Sequence, residues 1–235
     1  MKKYISPCRG NAGFTLIETL IALAISGILM GGVYAQFISQ QDSYLAQDQV
    51  VEMQQNLRAG ISYMTQELRM AGYDPYSSGT AGIETANPTS VVFTYVADDD
   101  NLDNDNADGD NDTSTGADET GELQTVTFDL YDAYGDGDND IGRQAGASAS
   151  TKRAIAENIE NLEFRYLDAD GAVETDPNEI KTVQISILAR VGKRDRKFFN
   201  NMTYTSASGA AWGPYNDGFR RRFQIVTIHL RNAEI

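Results

Sequence analysis

Residues 10–41 read GNAGFTLIETLIALAISGILMGGVYAQFISQQ, and the fold turns on how this stretch is read. A short head carrying Lys2, Lys3 and Arg9 runs up to Gly13, an apolar run begins at Phe14, and the 23 residues 19–41 carry no charge. At about 1.5 Å of rise per residue, a helix of that length spans a hydrocarbon core of roughly 30 Å. Glu18 is the discordant residue. An ionised acid inside lipid costs about 3 kcal/mol, and one that persists there usually has a functional partner.

Three readings account for different parts of this pattern. A lone membrane anchor explains the length but not Glu18. A secretory signal cut after the small-x-small triplet Val33-Tyr34-Ala35 explains the basic head, but it tolerates Glu18 poorly and calls for a shorter apolar run. A signal cut before the apolar run, so that the run is retained, explains the head, the length and the acid together. In this third form the stretch resembles the type IV prepilin family, whose G-FTLIE motif is matched without a gap by Gly13, Phe14, Thr15, Leu16, Ile17 and Glu18. The resemblance implies removal of a leader (1–13) by prepilin peptidase between Gly13 and Phe14, N-methylation of Phe14, and an assembly salt bridge from Glu18 to the terminal amine of a neighbouring subunit. Two buried opposite charges cost far less together than either does alone. Gly27-x-x-x-Gly31, with Ser26 and Gly32 beside it, offers a small face for helix packing. Small residues are also ordinary in membrane helices, so both readings of that face stand. The helix holds no proline before Pro75, so Gly31-Gly32 would supply any local flexibility.

Charge is distributed unevenly. The chain has a formal net charge of −15; the leader carries three basic residues and no acids, so the charge without it is −18. Residues 71–142 hold 18 acids and no Lys or Arg, whereas from Lys181 onward ten basic residues face three acids. An acidic surface repels phosphate, which argues against nucleic acid as a partner. The Arg220-Arg221-Arg222 run reads as a solvated or acid-paired strand start. Basic residues ahead of the apolar run place the N-terminus in the cytoplasm and the body outside. The single cysteine, Cys8, lies in the leader, so the remaining 222 residues have no disulfide and must rely on packing or metal ions.

Past the membrane-length run, Val50, Met53, Leu57, Ile61, Met64 and Leu68 recur at three- and four-residue steps, which predicts an amphipathic helix to about Gly72, before Asp74-Pro75. Period-two patterns then predict strands over 90–96 (SVVFTYV), 123–131 (LQTVTFDLY), 162–167, 182–191 (TVQISILARV) and 222–230, with loops over 142–150 (GRQAGASAS) and 200–217. One long helix followed by antiparallel strands is an α+β arrangement, and the prepilin resemblance implies the pilin fold. The organisation expected is a leader (1–13), a membrane and filament-core helix (14–41), an amphipathic helix half (42–72) and a globular body (73–235) with acidic loops at 98–122 and 132–142.

Residues 57–75 (LRAGISYMTQELRMAGYDP) and 219–232 (FRRRFQIVTIHLRN) narrow the resemblance to PilW-type minor pilins and the related J-type pseudopilins of type II secretion. What this implies is a minor pilin that primes assembly and sits at or near the tip of a type IV pilus. Its partners would be the major pilin, other minor pilins, the peptidase/methylase, the inner-membrane assembly platform and the lipid bilayer. The J-type pseudopilin and a calcium-dependent adhesin or tip module are the alternatives. Localisation would be the inner membrane before assembly and the extracellular pilus afterwards.

Nothing in the sequence builds a catalytic constellation. The lone histidine, His229, has no cysteine nearby for a zinc site and reads as a strand-face residue. The acids suggest a different chemistry. Asp108, Asp110, Asp112 and Glu119 stand at positions 1, 3, 5 and 12 of a calcium loop, although Thr113 replaces the usual glycine. Asp136, Asp138 and Asp140 repeat the alternation without a twelfth ligand. Calcium is therefore a candidate cofactor, and a solvated acidic loop is the alternative.

Overall fold

The computed structural model describes residues 13–75, 81–97, 122–146 and 151–232, and in it the N-terminal periodicity becomes one helix, α1 (Leu16–Leu68). Contacts divide the chain into two units, one ending at Gln47 and the other beginning at Asp48. In the first unit the helix is uncovered, with Leu20, Leu23, Ile28 and Met30 all exposed. Among the described residues α1 is the one helix long and apolar enough to cross a membrane.

In the second unit one stripe of α1 turns inward. Met53, Leu57, Met64 and Leu68 are buried at the steps that the sequence periodicity predicts, Val50 and Ile61 of the same stripe are half-buried, and Gly60, outside the expected stripe, is buried with them. The helix stops at Leu68, four residues short of the expected end, and turn residues lead to Gly72. Gly72 has φ +75° and donates its amide to the Thr94 carbonyl at 3.0 Å, so the left-handed residue that closes the helix also ties it to the sheet.

The body is α+β, as expected. Strands β1 (Ile83–Asn87), β2 (Ser90–Ala97), β3 (Glu122–Tyr131), β4 (Asp140–Ala145) and β5 (Arg153–Ala156) form an antiparallel sheet in chain order. The chain continues through β6 (Ile159–Leu167), β7 (Thr182–Arg190), the two-residue strands β8 (Tyr204–Thr205) and β9 (Ala211–Trp212), and β10 (Arg221–His229). The second sheet has the order β10-β7-β6, and β8 pairs with β9. Phe93, Phe128 and Ile141 from the first sheet join Ile159, Ile185, Ile187 and Ile228 from the second and the inward stripe of α1 in one core.

Three expected loops are structured in part. Residues 142–145 of the expected loop 142–150, and residues 140–142 of the expected acidic loop 132–142, lie in β4, paired with β3 on one side and β5 on the other. Gly142, one of the small residues that suggested a loop, serves close packing instead. A Cβ built at Gly142 would sit 2.7 Å from the Tyr131 ring, a separation real side chains do not tolerate. The expected loop 200–217 contains β8 and β9 and folds over the outer face of the second sheet. Its Ala207 amide donates to Ser186 Oγ at 2.9 Å, Arg165 Nη1 donates to the Ala207 carbonyl at 2.9 Å, and Trp212 meets Phe223 edge-on with ring centroids 5.8 Å apart.

Candidate functional site

The N-terminal segment begins at a residue without a side chain and passes at once into helix. Among the described residues no atom outside its chain neighbours lies within 4 Å of a Cβ built at Gly13, and Phe14 beside it is exposed. Thr15 caps α1. Its Oγ1 accepts the Glu18 amide at 3.3 Å, and Glu18 Oε2 in turn accepts the Thr15 amide and hydroxyl, both at 2.9 Å. This is a reciprocal capping box, T-x-x-E, which satisfies donors that the first turn of any helix leaves unpaired. The signal for it is local, because the T-x-x-E spacing of Thr15 and Glu18 stands in the sequence itself. Both bonds fall on Oε2, so the capping role occupies one oxygen of the carboxylate. Gly27, Gly31 and Gly32 have no atom within 4 Å of a built Cβ, so the small face of the helix is uncovered.

Of the acids proposed as calcium ligands, Asp108, Asp110, Asp112 and Glu119 lie outside the described residues. Of the second set, Asp136 is engaged within its own loop, and Asp138 and Asp140 also reach partners outside it. Asp132 accepts the Gly135 amide at 2.6 Å and the Gly137 amide at 3.2 Å, and Asp136 accepts the Asp138 amide at 3.3 Å. Asp140 is buried and turns the other way, accepting the Ala133 amide at 3.0 Å and the Asn158 amide at 3.3 Å. Asp138 lies 3.4 Å from Arg190 Nη2; burial, then its hydrogen bond with Asp136, pushes its carboxyl up to about 6, while that bond holds Asp136 below the usual carboxylate range. Among the described residues, no three Asp, Glu, His or Cys side chains are gathered to hold a metal.

Arg220 and Arg221 of the arginine run are acid-paired and Arg222 is exposed, so each of the two readings of its sequence holds for part of it. Arg221, whose side chain is 1 % exposed, reaches Asp217 with both terminal nitrogens at 2.7 Å and Glu160 with Nε at 2.8 Å. The Tyr215 ring stacks over its guanidinium at 3.9 Å. Arg220 pairs with Asp195 at 2.9 Å. His229 lies across from Thr182, Nδ1 to Oγ1 at 2.9 Å, on the strand face expected for it.

Gly13, a self-capped glutamate and a membrane-length helix therefore follow one another without a gap, and residues 8–34 match the family model of the prokaryotic N-terminal methylation motif. The chain carries that motif. Its structure is similar to that of the type IV-like pilin TTHA1219 from Thermus thermophilus, at 13 % identity and a TM-score of 0.48, over 77 % of this chain and 98 % of that one. No curated protein matches the chain in sequence.

Proposed function

We propose that this chain is a PilW-like minor pilin: cut between Gly13 and Phe14, methylated on Phe14, held in the inner membrane by residues 14–41, then built into a type IV pilus at or near its tip. One observation carries the reading. A methylation motif sits directly before an apolar helix, and that same helix continues as the inward stripe of an α+β body. Glu18 supports it further. With Oε2 turned to Thr15, Oε1 remains for the amine of a neighbour. The role is structural rather than catalytic, because what the chain offers is an anchor, a packing face and a body. The partners are the peptidase/methylase, other pilins and the assembly platform.

Mass spectrometry of filaments sheared from cells tests this. Trace recovery beside a major pilin, with an N-methylated Phe14 at the amino end, is the expected result. Absence from surface filaments together with loss of protein secretion on deletion would instead assign the chain to a type II secretion pseudopilus. A mature terminus at Gln36 would sink both readings.

A further inference from the structure

The loop that follows β7 reads Lys193-Arg194-Asp195-Arg196-Lys197-Phe198-Phe199, four cations within five residues of a chain whose net charge is −15. All four cations are exposed. The one acid among them, Asp195, is paired with Arg220 at 2.9 Å and accepts the Lys197 amide at 2.8 Å. Beside them Phe199 is 63 % and Met202 59 % exposed, so large apolar side chains stand in solvent next to the positive charge.

The position of this loop follows from the contacts of the body. Near the end where α1 enters, Asn56 Nδ2 donates to the Glu157 carbonyl at 3.0 Å. The Arg190 amide donates to the carbonyl of the next residue, Asn158, at 2.9 Å, and the Asn158 side chain abuts Gly192. At the other end, Gly72 touches Asn232, and the Leu230 amide bonds the Lys181 carbonyl just before β7. β7 thus runs from the end where α1 stops back to the end where it enters, and the basic loop is at the entry end. The acidic loop 132–140 reaches that end too, but on the β6 side, through the Ile159 amide and Asn139 carbonyl at 2.6 Å. The basic loop returns to the β10 side, through the Asp195 amide and Gly218 carbonyl at 2.9 Å. Asp138 of the acidic loop pairs with Arg190 at the end of β7, and the Arg190 guanidinium lies over the Phe219 ring, so the acidic and the basic loop meet the same end of β7 from neighbouring strands.

We propose that this basic, aromatic loop docks the body on the anionic lipid headgroups of the bilayer that holds α1; the inference rests on reading residues 14–41 as a membrane anchor. Exposed Phe and Met beside Lys and Arg are the pairing that interfacial segments use, apolar groups entering the headgroup boundary while cations meet phosphate. Each cation near an anionic surface strengthens binding about fivefold. Tethering by α1 keeps the loop close to such a surface. Nucleic acid is the weaker fit, because the exposed Phe199 and Met202 would have no apolar boundary to enter there.

The test uses the full chain with Cys8→Ser and Asn201→Cys, labelled at residue 201 with an environment-sensitive dye. It is reconstituted in vesicles of phosphatidylcholine alone, or of phosphatidylcholine with phosphatidylglycerol, each containing a headgroup-quencher lipid. Flotation with the neutral vesicles reports the anchor separately, so failure there overturns the anchor reading itself. The expected result is a blue shift and quenching only in the anionic vesicles, both lost in high salt. Lys193→Gln with Lys197→Gln should lower the docked population, about fivefold per charge at partial occupancy. Equal quenching in both lipids, a signal indifferent to salt and to charge, or a shift produced by duplex DNA without lipid would each overturn the proposal. So would a signal in neutral vesicles that rises with protein density, which would mean that a second copy covers the loop.

Discussion

Glu18 caps α1, and under the proposed function it also pairs with a neighbour's amine; the two roles are separable by substitution. A carboxamide still accepts the Thr15 amide, so Glu18→Gln keeps the cap and removes only the charge. Under the proposed function, Glu18→Gln and Glu18→Ala are both inserted and cut at Gly13 yet fail to enter filaments, whereas Thr15→Val, which loses the cap, still enters. Immunoblots of membrane and sheared-filament fractions distinguish these outcomes, and normal incorporation of Glu18→Gln would end the pairing argument. Arg221 poses a different residue-scale problem, a buried cation between two acids. Arg221→Ala leaves Asp217 and Glu160 facing each other without a counter-charge and should cost about 3 kcal/mol in chemical denaturation. Arg221 hydrogen bonds hold the Asp217 carboxyl below its ordinary 3.8, so the pair's contribution is complete above that value and is lost as pH falls through the lower folded value. The stability gap between the native chain and Asp217→Asn should accordingly be widest at neutral pH and close in strong acid, as acid titrations of both proteins would show.

At the scale of elements, the contact between α1 and β5 depends on a missing side chain. A Cβ at Gly60 would lie 2.7 Å from the Ala156 Cβ, so helix and strand are in contact only because residue 60 has no side chain. Alanine is the better helix former by about 1 kcal/mol, but overpacking here costs about 1–3 kcal/mol, and the clash should win. Gly60→Ala should melt below the native protein, and adding Ala156→Gly should recover part of the loss. A double mutant no better than the sum of the singles would remove the close-contact explanation. Glycine at 60 and at 142 carries the same lesson from opposite elements. Both were visible in the sequence, and neither could be read as a packing site, because the atoms that demand the glycine come from residues far along the chain.

For the whole molecule, processing and metal binding are the behaviours that test the proposed function. Gly13→Leu should leave a full-length, unmethylated precursor in the membrane, seen as an uncleaved band by mass analysis. If Asp108, Asp110, Asp112 and Glu119 bind calcium, the full chain in detergent should melt higher in calcium than in chelator, by roughly 2.7 kcal/mol at one hundred times the dissociation constant. Isothermal titration without heat, alongside an unchanged melting point, would leave a solvated acidic stretch.

Local pattern alone determined a good deal. The cleavage-type motif, the uncharged 23-residue run, the inward stripe of α1 and the cores of β2, β3, β6, β7 and β10 are periodicities or short motifs, and such signals survive in a linear string. The tertiary structure decided the rest. It made Asp140–Ala145 a central strand where small residues suggested a loop, and it laid the 200–217 segment over a sheet face. It turned Asp140 inward to backbone amides, away from Asp136 and Asp138, and it brought Arg221 to Glu160 across 61 positions. It also carried the basic loop after β7 back to the end where α1 enters. In each case the deciding contact joins segments distant in sequence, and its energy depends on the distance of approach, which composition and spacing do not encode.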